Sequence, residues 1–303
     1  MRTPASLSAS DPAGPISRRR FTQLLALAAA LPLTRPAARA APAASVPLLG
    51  VQTSLARAAA VKAAGGQFIA ESVSGFIKPD GSAAELEAML AQVRAAPLPV
   101  YSCNFFIGRP DLRATGPDAN HEAVLEYARK AFDRASRAGV KVITYGSCGS
   151  RKLPPGYSQE RGKDEFVALL SRLGPLAQAH HITVAVESLQ TRECNFLTRI
   201  AEVGQVVRRA GHPHIRAAAD LYHMVAENDT PQDLADITDV LAHVELAELQ
   251  GRRLPGTTSQ DFRPYFRVLK DADYRGALCF EGNFELDDLP AGLAALAQQW
   301  QEA

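Results

Sequence analysis

The feature that most constrains the fold is an alternation of short β-rich runs with Ala/Leu-rich amphipathic stretches. It starts near residue 46 and continues to the C-terminus. The β-rich runs lie at 47–52, 67–71, 99–104, 140–145, 182–187, 215–220, 242–246 and 277–281. The helical patterns include 83–95, 120–138, 164–179, 196–210, 231–240 and 262–272. Eight β–α units over 46–303 predict an α/β fold in a single domain, the (β/α)8 TIM barrel.

A doubly wound parallel sheet is the main alternative to the barrel. Such a sheet usually has fewer strands and carries a glycine-rich phosphate loop after its first strand. The sequence contains no G-x-G-x-x-G segment and no P-loop. The strand count and the missing loop therefore favour the barrel.

Composition excludes several classes of protein. Hydrophobic residues make up 47% of the 303 residues, which is far too many for a disordered chain. The 33 basic and 32 acidic side chains give a net charge of +1, so no basic field exists to attract nucleic acid. We therefore expect no nucleic-acid partner.

Residues 1–45 have the pattern of an export signal and linker. Ser-Arg-Arg-Arg-Phe at 17–21 precedes an apolar run at 24–33, and Ala-Arg-Ala follows at 38–40. This resembles a twin-arginine signal peptide cleaved after Ala40, and the run of about ten residues is too short to span a bilayer stably. The prediction is a periplasmic protein without a stable membrane anchor after cleavage; the alternative is an ordinary basic tail with an amphipathic helix.

Acidic residues end several of the predicted strands. In a TIM barrel, active-site groups project from the C-terminal ends of the strands. Carboxylates that converge there repel one another, and a divalent cation between them removes the repulsion. The acidic strand ends are Glu71, Glu187, Asp220, Glu245 and Glu281.

Four of these ends lie in segments that carry a family resemblance. The segments are Ala-Val-Glu-Ser-Leu at 185–189, Ala-Asp-Leu-Tyr-His-Met at 219–224, His-Val-Glu-Leu-Ala-Glu at 243–248 and Cys-Phe-Glu-Gly at 279–282. They resemble the xylose isomerase-like barrels, and among these the sugar isomerases and epimerases, including ketose 3-epimerases and hydroxypyruvate isomerases. The resemblance implies that Glu187, Asp220 and Glu281 are metal ligands. It also implies that Glu187 and Glu281 are the catalytic pair that moves protons.

The fourth metal ligand departs from the family pattern. Most of these enzymes have His at the third position of a His-x-His motif, where this sequence has Glu245. Strand alternation places His243 on the same face but one layer deeper, so we assign the ligand position to Glu245 rather than to His243. A supporting carboxylate that does not bind the ion is the alternative for Glu245. Four hard oxygen ligands favour one Mn²⁺ or Mg²⁺, or Ca²⁺, over Zn²⁺.

The resemblance also implies substrate-binding residues. His223 and Arg252 fall on positions that contact substrate oxygens, and Glu71 falls near a position that often touches substrate. Three aromatic residues at the barrel mouth either pack against a sugar face or belong to ordinary packing: Phe105, Phe106 and Phe284.

The predicted activity is sugar isomerisation or epimerisation. A carboxylate removes a proton next to a carbonyl, and a second carboxylate returns it to the enediolate. The alternatives are elimination from a 3-keto glycoside on the same barrel and a catalytically silent sugar-binding barrel. The expected binding partner is thus a small carbohydrate. The resemblance also implies assembly into a homo-oligomer.

The four cysteines form no C-x-x-C motif. We expect unpaired, partly buried thiols, and a bridge between Cys103 and Cys148 on adjacent strands is geometrically conceivable.

Overall fold

The computed structural model describes residues 47–303, so the predicted signal peptide and its cleavage site lie outside the described residues. Eight parallel strands close into a barrel in sequence order, with β8 pairing to β1. The TIM-barrel prediction is confirmed, and the doubly wound sheet is excluded because the sheet has no open edge. The strands are β1 Leu48–Gln52, β2 Phe68–Ser72, β3 Val100–Asn104, β4 Val142–Tyr145, β5 Thr183–Glu187, β6 Ile215–Asp220, β7 Leu241–Leu246 and β8 Ala277–Phe280.

Helices of varied length connect the strands. The helices of the described residues are α1 Ala58–Ala63, α2 Ala83–Ala95, α3 His121–Arg137, α4 Cys148–Arg151, α5 Gln159–Ala179, α6 Ile200–Ala210, α7 Leu221–Ala226, α8 Pro231–Ala235, α9 Arg263–Asp271 and α10 Leu289–Glu302. At the junctions between α3 and β4 and between α6 and β6, Gly139 and Gly211 adopt positive φ of 83° and 64°, a conformation that glycine tolerates best at a helix C-terminus.

Aromatic rings fill the layer between the barrel and its helices on one side. Phe106 lies 5.4 Å from Phe132 and 5.2 Å from Tyr145, measured between ring centroids. Phe166 continues the row at 5.2 Å from Tyr145 and 5.8 Å from Phe196. Phe106 is fully buried in this row, so it packs the core and does not face a sugar.

The final helix, α10, closes the outer layer. Trp300 is buried, and its ring lies 5.4 Å from that of Phe266 on α9. Trp300 thus anchors α10 against α9. Among the described residues, no helix combines the length and apolarity needed to cross a membrane.

Strand register brings the acidic strand ends to one rim. Asp220 pairs with Glu245 between β6 and β7, and Glu187 pairs with Ala218 between β5 and β6. Glu281 directly follows the last residue of β8. Because all strands are parallel, their C-terminal ends meet at the same face of the barrel.

Candidate metal centre and active site

Four acidic side chains meet at the C-terminal rim. Glu187, Asp220, Glu245 and Glu281 each offer a carboxylate oxygen, and these oxygens all lie within 4.8 Å of one another. Three of the four residues are buried, and the side chain of Glu281 is 13% exposed. These are the four residues that the sequence predicts as metal ligands.

Burial and mutual repulsion act on these carboxyls in the same direction. Burial is the main cause that raises the pKa of Glu187, followed by the charges of Glu245 and Glu281. Burial also raises the pKa of Glu281 well above its usual value, with Glu245 and Asp220 adding to the effect. Without a bound cation, the cluster therefore holds protons at pH values where free carboxyls have lost them.

A divalent cation fits this donor set. The Oε2 atom of Glu245 is buried and has no hydrogen-bond partner among the described residues. Its Oε1 atom accepts one weak hydrogen bond from Thr144, at 3.3 Å, and lies 3.5 Å from Nε2 of His243. His243 is completely buried one layer deeper, which is the placement that strand alternation predicts. Hard carboxylate oxygens with incomplete partners suit a hard divalent ion.

Gly146 leaves room for the Glu187 carboxylate. A Cβ atom at this position would overlap Oε2 of Glu187. The glycine follows β4, and the glutamate ends the neighbouring strand β5. The close approach explains why the loop after β4 begins with a residue that has no side chain.

Arg252 is the cation that reaches into the cluster. Its Nη2 atom lies 3.2 Å from Oε2 of Glu281 and 3.4 Å from Oδ2 of Asp220. Burial would lower the pKa of Arg252, but the charges of Glu281 and Asp220 together raise it. The guanidinium also lies over the ring of Tyr222, 4.7 Å from the ring centroid. One guanidinium offsets only part of four carboxylate charges.

The loop that carries Arg252 is fixed by backbone contacts. Arg252 has a positive φ of 52°, a strained conformation for a residue with a side chain. Its carbonyl accepts a hydrogen bond from the Asn283 N–H at 2.7 Å. Buried Glu248 accepts from the N–H of Gly256 at 2.8 Å and from the Thr258 hydroxyl at 2.6 Å. These contacts hold the strained residue in place.

His223 lies beside the four-carboxylate cluster. Its Nε2 atom is 3.5 Å from Oδ2 of Asp220 and 3.8 Å from Oε1 of Glu187. With these two residues it forms a second group that could hold an ion. His223 can thus serve as a ligand or as a neighbour of bound substrate.

A pocket of about 360 Å³ opens over the cluster. Glu187, Glu281, His223 and Arg252 line it, so four predicted site residues face one cavity. Exposed Phe105 lines it as well, as the sequence suggested for a sugar face.

Two of the lining residues that contact predicted site residues were not identified from the sequence. Asn104 ends β3 and donates a hydrogen bond of 2.8 Å from Nδ2 to Oε1 of Glu281. Glu193 lies in the loop after β5, with its Oε2 atom 4.0 Å from Nε2 of His223. Asn104 could have been predicted from the sequence, because it is a polar residue at the end of a strand. Glu193 lies in a loop, where no strand alternation or helical periodicity indicates a site residue.

Glu71 and Phe284 do not line this pocket. The Oε1 atom of Glu71 accepts a hydrogen bond of 2.6 Å from the Leu55 N–H, and the side chain lines a separate cavity with Ser54 and Phe76. Phe284 packs against Phe280 and lines another cavity. The structure therefore does not bring Glu71 together with the other predicted site residues.

The sequence matches the xylose isomerase-like TIM barrel family over residues 56–301. This chain belongs to that family. Over 168 residues the barrel is 28% identical to the 3-dehydro-D-guloside 4-epimerase of Escherichia coli strain K12, covering 54% of this chain and 64% of the relative. The L-ribulose 3-epimerase of Methylomonas sp. strain DH-1 is 29% identical over 158 residues, covering 52% of this chain and 54% of that protein.

The fold is shared with solved epimerase structures. The D-allulose 3-epimerase from Methylomonas sp., in complex with D-allulose, superposes with a TM-score of 0.68 at 22% identity. The match covers 84% of this chain and 97% of that chain. This protein therefore has the xylose isomerase-like barrel, a fold it shares with solved sugar epimerases, and a buried acidic metal-site candidate. The sequence matches cover 64% and 54% of the length of these two curated relatives.

The raised carboxyl pKa values predict how the stability of the metal-free protein varies with pH. The folded protein keeps protons on Glu187 that the unfolded chain, with a carboxyl pKa near 4.5, has already released. The contribution of Glu187 to the free energy of unfolding is thus fully present below the pKa of the unfolded chain. It falls as the pH rises toward the raised pKa of the folded protein.

Urea unfolding of chelator-treated protein between about pH 4 and 8 measures this effect against a Glu187→Gln variant. The wild type should lose stability relative to the variant with rising pH. A difference that stays constant, or that grows in favour of the wild type, would contradict the raised pKa.

Proposed function

We propose that this barrel is a divalent-metal-dependent sugar isomerase or epimerase that abstracts a proton next to a carbonyl and passes through an enediolate. The observation that carries the proposal is that Glu187 and Glu281 line one pocket while their carboxylates belong to a four-carboxylate cluster. The pocket thus combines two proton-transfer groups with the donor set for a cation.

Glu187, Asp220, Glu245 and Glu281 would hold the ion, and we propose Mn²⁺ or Mg²⁺ because the donors are hard oxygens. When bound, a divalent cation polarises a carbonyl and stabilises the negative charge of an enediolate. The remaining chemistry falls to the side chains of the pocket.

Glu187 and Glu281 would move the proton. A carboxylate on one side of the substrate removes a proton from the carbon next to the carbonyl. A protonated carboxyl on the other side delivers a proton to the opposite face, which inverts that carbon. Asn104 donates to Oε1 of Glu281 and so fixes the orientation of this group. Return of the proton to the adjacent carbon on the same side gives isomerisation instead.

Arg252 and His223 would orient the substrate. Both line the pocket and both lie within 4 Å of carboxylates of the cluster. Their N–H groups are placed to donate to sugar oxygens beside the reacting carbon, where charge develops in the transition state. Exposed Phe105 offers an apolar surface for the rest of the sugar.

The substrate class is a small keto sugar, free or as a glycoside. One relative is named for a 3-dehydro sugar glycoside and another for a free ketose. Solvent-deuterium uptake, followed by mass spectrometry on free ketoses and 3-keto glycosides, tests the proposal. Deuterium in a recovered epimer supports the proposal, and release of the aglycone identifies elimination instead. Sugar binding without any deuterium exchange would show a barrel that binds sugar but does not catalyse a reaction.

We also propose export by the twin-arginine route to the periplasm. The support is the pattern at 17–40 of the sequence. Fractionation of cells that express the full chain, beside a variant with Lys at positions 18 and 19, tests this. Equal periplasmic amounts of both would contradict the twin-arginine route.

A further inference from the structure

Two cysteine thiols meet at the wall of the pocket. Cys148 is the first residue of α4, and its Sγ donates to the carbonyl oxygen of Glu193 over 3.1 Å. Cys194 directly follows Glu193 in the chain, so the sulfur of Cys148 lies against the peptide bond that leads into Cys194. The loops after β4 and after β5 thus bring the two cysteines next to each other.

A buried guanidinium accompanies this pair. Arg151 is fully buried, and its Nε and Nη1 atoms have no hydrogen-bond partner among the described residues. The neighbouring Cys148 thiol and then the charge of Arg151 outweigh burial and lower the pKa of Cys194 to about 6, whereas Cys194 raises the pKa of Cys148. Cys194 is therefore the thiolate of the pair at neutral pH and can accept the proton of Cys148.

The two thiols differ in accessibility. Cys148 is partly exposed and lines the pocket, whereas Cys194 is only 2% exposed. A small reagent that enters the pocket meets Cys148 first. Cys103 and Cys279 are fully buried in the barrel, and burial raises the pKa of both thiols. These two residues serve as internal controls.

We propose that Cys148 and Cys194 form a redox-active dithiol that closes to a disulfide by exchange with a low-molecular-weight disulfide. The Cys194 thiolate takes the proton of Cys148 as the sulfur of Cys148 attacks one sulfur of the small disulfide and releases one small thiolate. Cys194 passes that proton to the released thiolate, and its own sulfur then attacks Sγ of Cys148 and releases the second small thiolate, which takes a proton from solvent. The two cysteines are oxidised to a disulfide, and the reagent is reduced to two thiols.

The disulfide would tie together two walls of the pocket. Ser147 and Cys148 belong to the loop after β4, and Glu193 belongs to the loop after β5; all three line the cavity. The sequence alone suggested Cys103 as the conceivable partner of Cys148. The structure instead buries Cys103 in the main hydrophobic core and brings Cys194 next to Cys148, because the loop after β5 contacts α4.

Oxidised glutathione and peptide mapping test this proposal on the folded protein without substrate or metal. After exchange at neutral pH, alkylation and digestion with trypsin, we expect peptide 142–151 to be joined to peptide 193–199. Cys194→Ser should trap one glutathione on Cys148, and Cys148→Ser should leave Cys194 unmodified.

Cys103 and Cys279 should be alkylated only after denaturation. A glutathione adduct on Cys148 of the wild type without the cross-linked peptide would overturn the proposal. So would equal oxidation of all four cysteines, or no reaction at Cys148. Circular dichroism of both serine variants separates a lost thiol from a lost fold. Because no turnover is measured, the result stands apart from that of the proposed enzyme activity.

Discussion

Replacing Glu187 or Glu281 by Gln is expected to lower turnover by at least about 10³-fold, since proton transfer by a positioned side chain contributes about 10²–10⁴-fold. Glutamine keeps the shape of the side chain and one oxygen donor but can neither accept nor deliver the proton. Both side chains line the pocket, and their carboxylates lie within 4.8 Å of each other. The measurement is solvent-deuterium uptake into the substrate at saturating Mn²⁺.

The same two residues are candidate metal ligands, so the metal content of each variant must be measured beside its activity. Exchange that is lost while the ion stays bound assigns the proton transfer to the replaced carboxyl. Full exchange in either variant would show that the assignment is wrong.

Glu71→Gln is the matched control. This residue also lies near the C-terminal end of a β strand, but its side chain accepts from the Leu55 N–H and lies in a separate cavity. Turnover should persist in this variant, because glutamine can accept the same hydrogen bond. A loss as large as that of Glu187→Gln would mean that Glu71 acts on the substrate, as the family resemblance suggests.

Cation binding is expected to stabilise the protein strongly. A ligand that binds only the folded state, present at 100 times its Kd, adds about 2.7 kcal/mol. For a domain of this size that corresponds to a Tm increase of about 5–10 °C. The stabilisation arises because the ion relieves the repulsion among four buried carboxylates.

The Asp220→Asn/Glu245→Gln double variant should lose this response. Its site keeps two carboxylates, and the repulsion that the ion relieves is smaller. Differential scanning calorimetry with and without MnCl₂, after chelator treatment, compares the two proteins. An equal Tm increase in the double variant would locate the ion elsewhere in the chain.

Much of the site was predictable because a barrel rim obeys a simple rule. Each of Glu187, Asp220, Glu245 and Glu281 lies within one residue of the C-terminal end of its strand. Because the strands are parallel and the barrel is closed, these ends meet at one rim regardless of the conformation of the loops. The alternating element pattern was therefore enough to place the carboxylates on one face.

Glu71 shows where that rule fails. Phe68 and Ala70 of β2 pack with Cys279 in one cluster, whereas Ile69, between them, packs into the main hydrophobic core. Side chains along a strand alternate between two faces, so Glu71 points to the same side as Ile69 and away from the pocket. The prediction counted Glu71 as a strand end without applying this alternation.

Loop residues were the least predictable. Glu193 reaches the pocket, and Cys194 reaches Cys148, through the fold of the loop after β5. Phe106 turns into the core while its neighbour Phe105 stays exposed. Adjacent positions in a loop without a period carry no signal of which way each side chain points.

The metal content of the mature chain, residues 41–303, tests the central claim most directly. Elemental analysis after loading with Mn²⁺ or Mg²⁺ and removal of free ions should find about one ion per chain. The Asp220→Asn/Glu245→Gln variant, treated in parallel, should retain none. A wild-type protein that binds no divalent ion under any loading condition would contradict the carboxylate metal centre and the metal-dependent mechanism proposed on it.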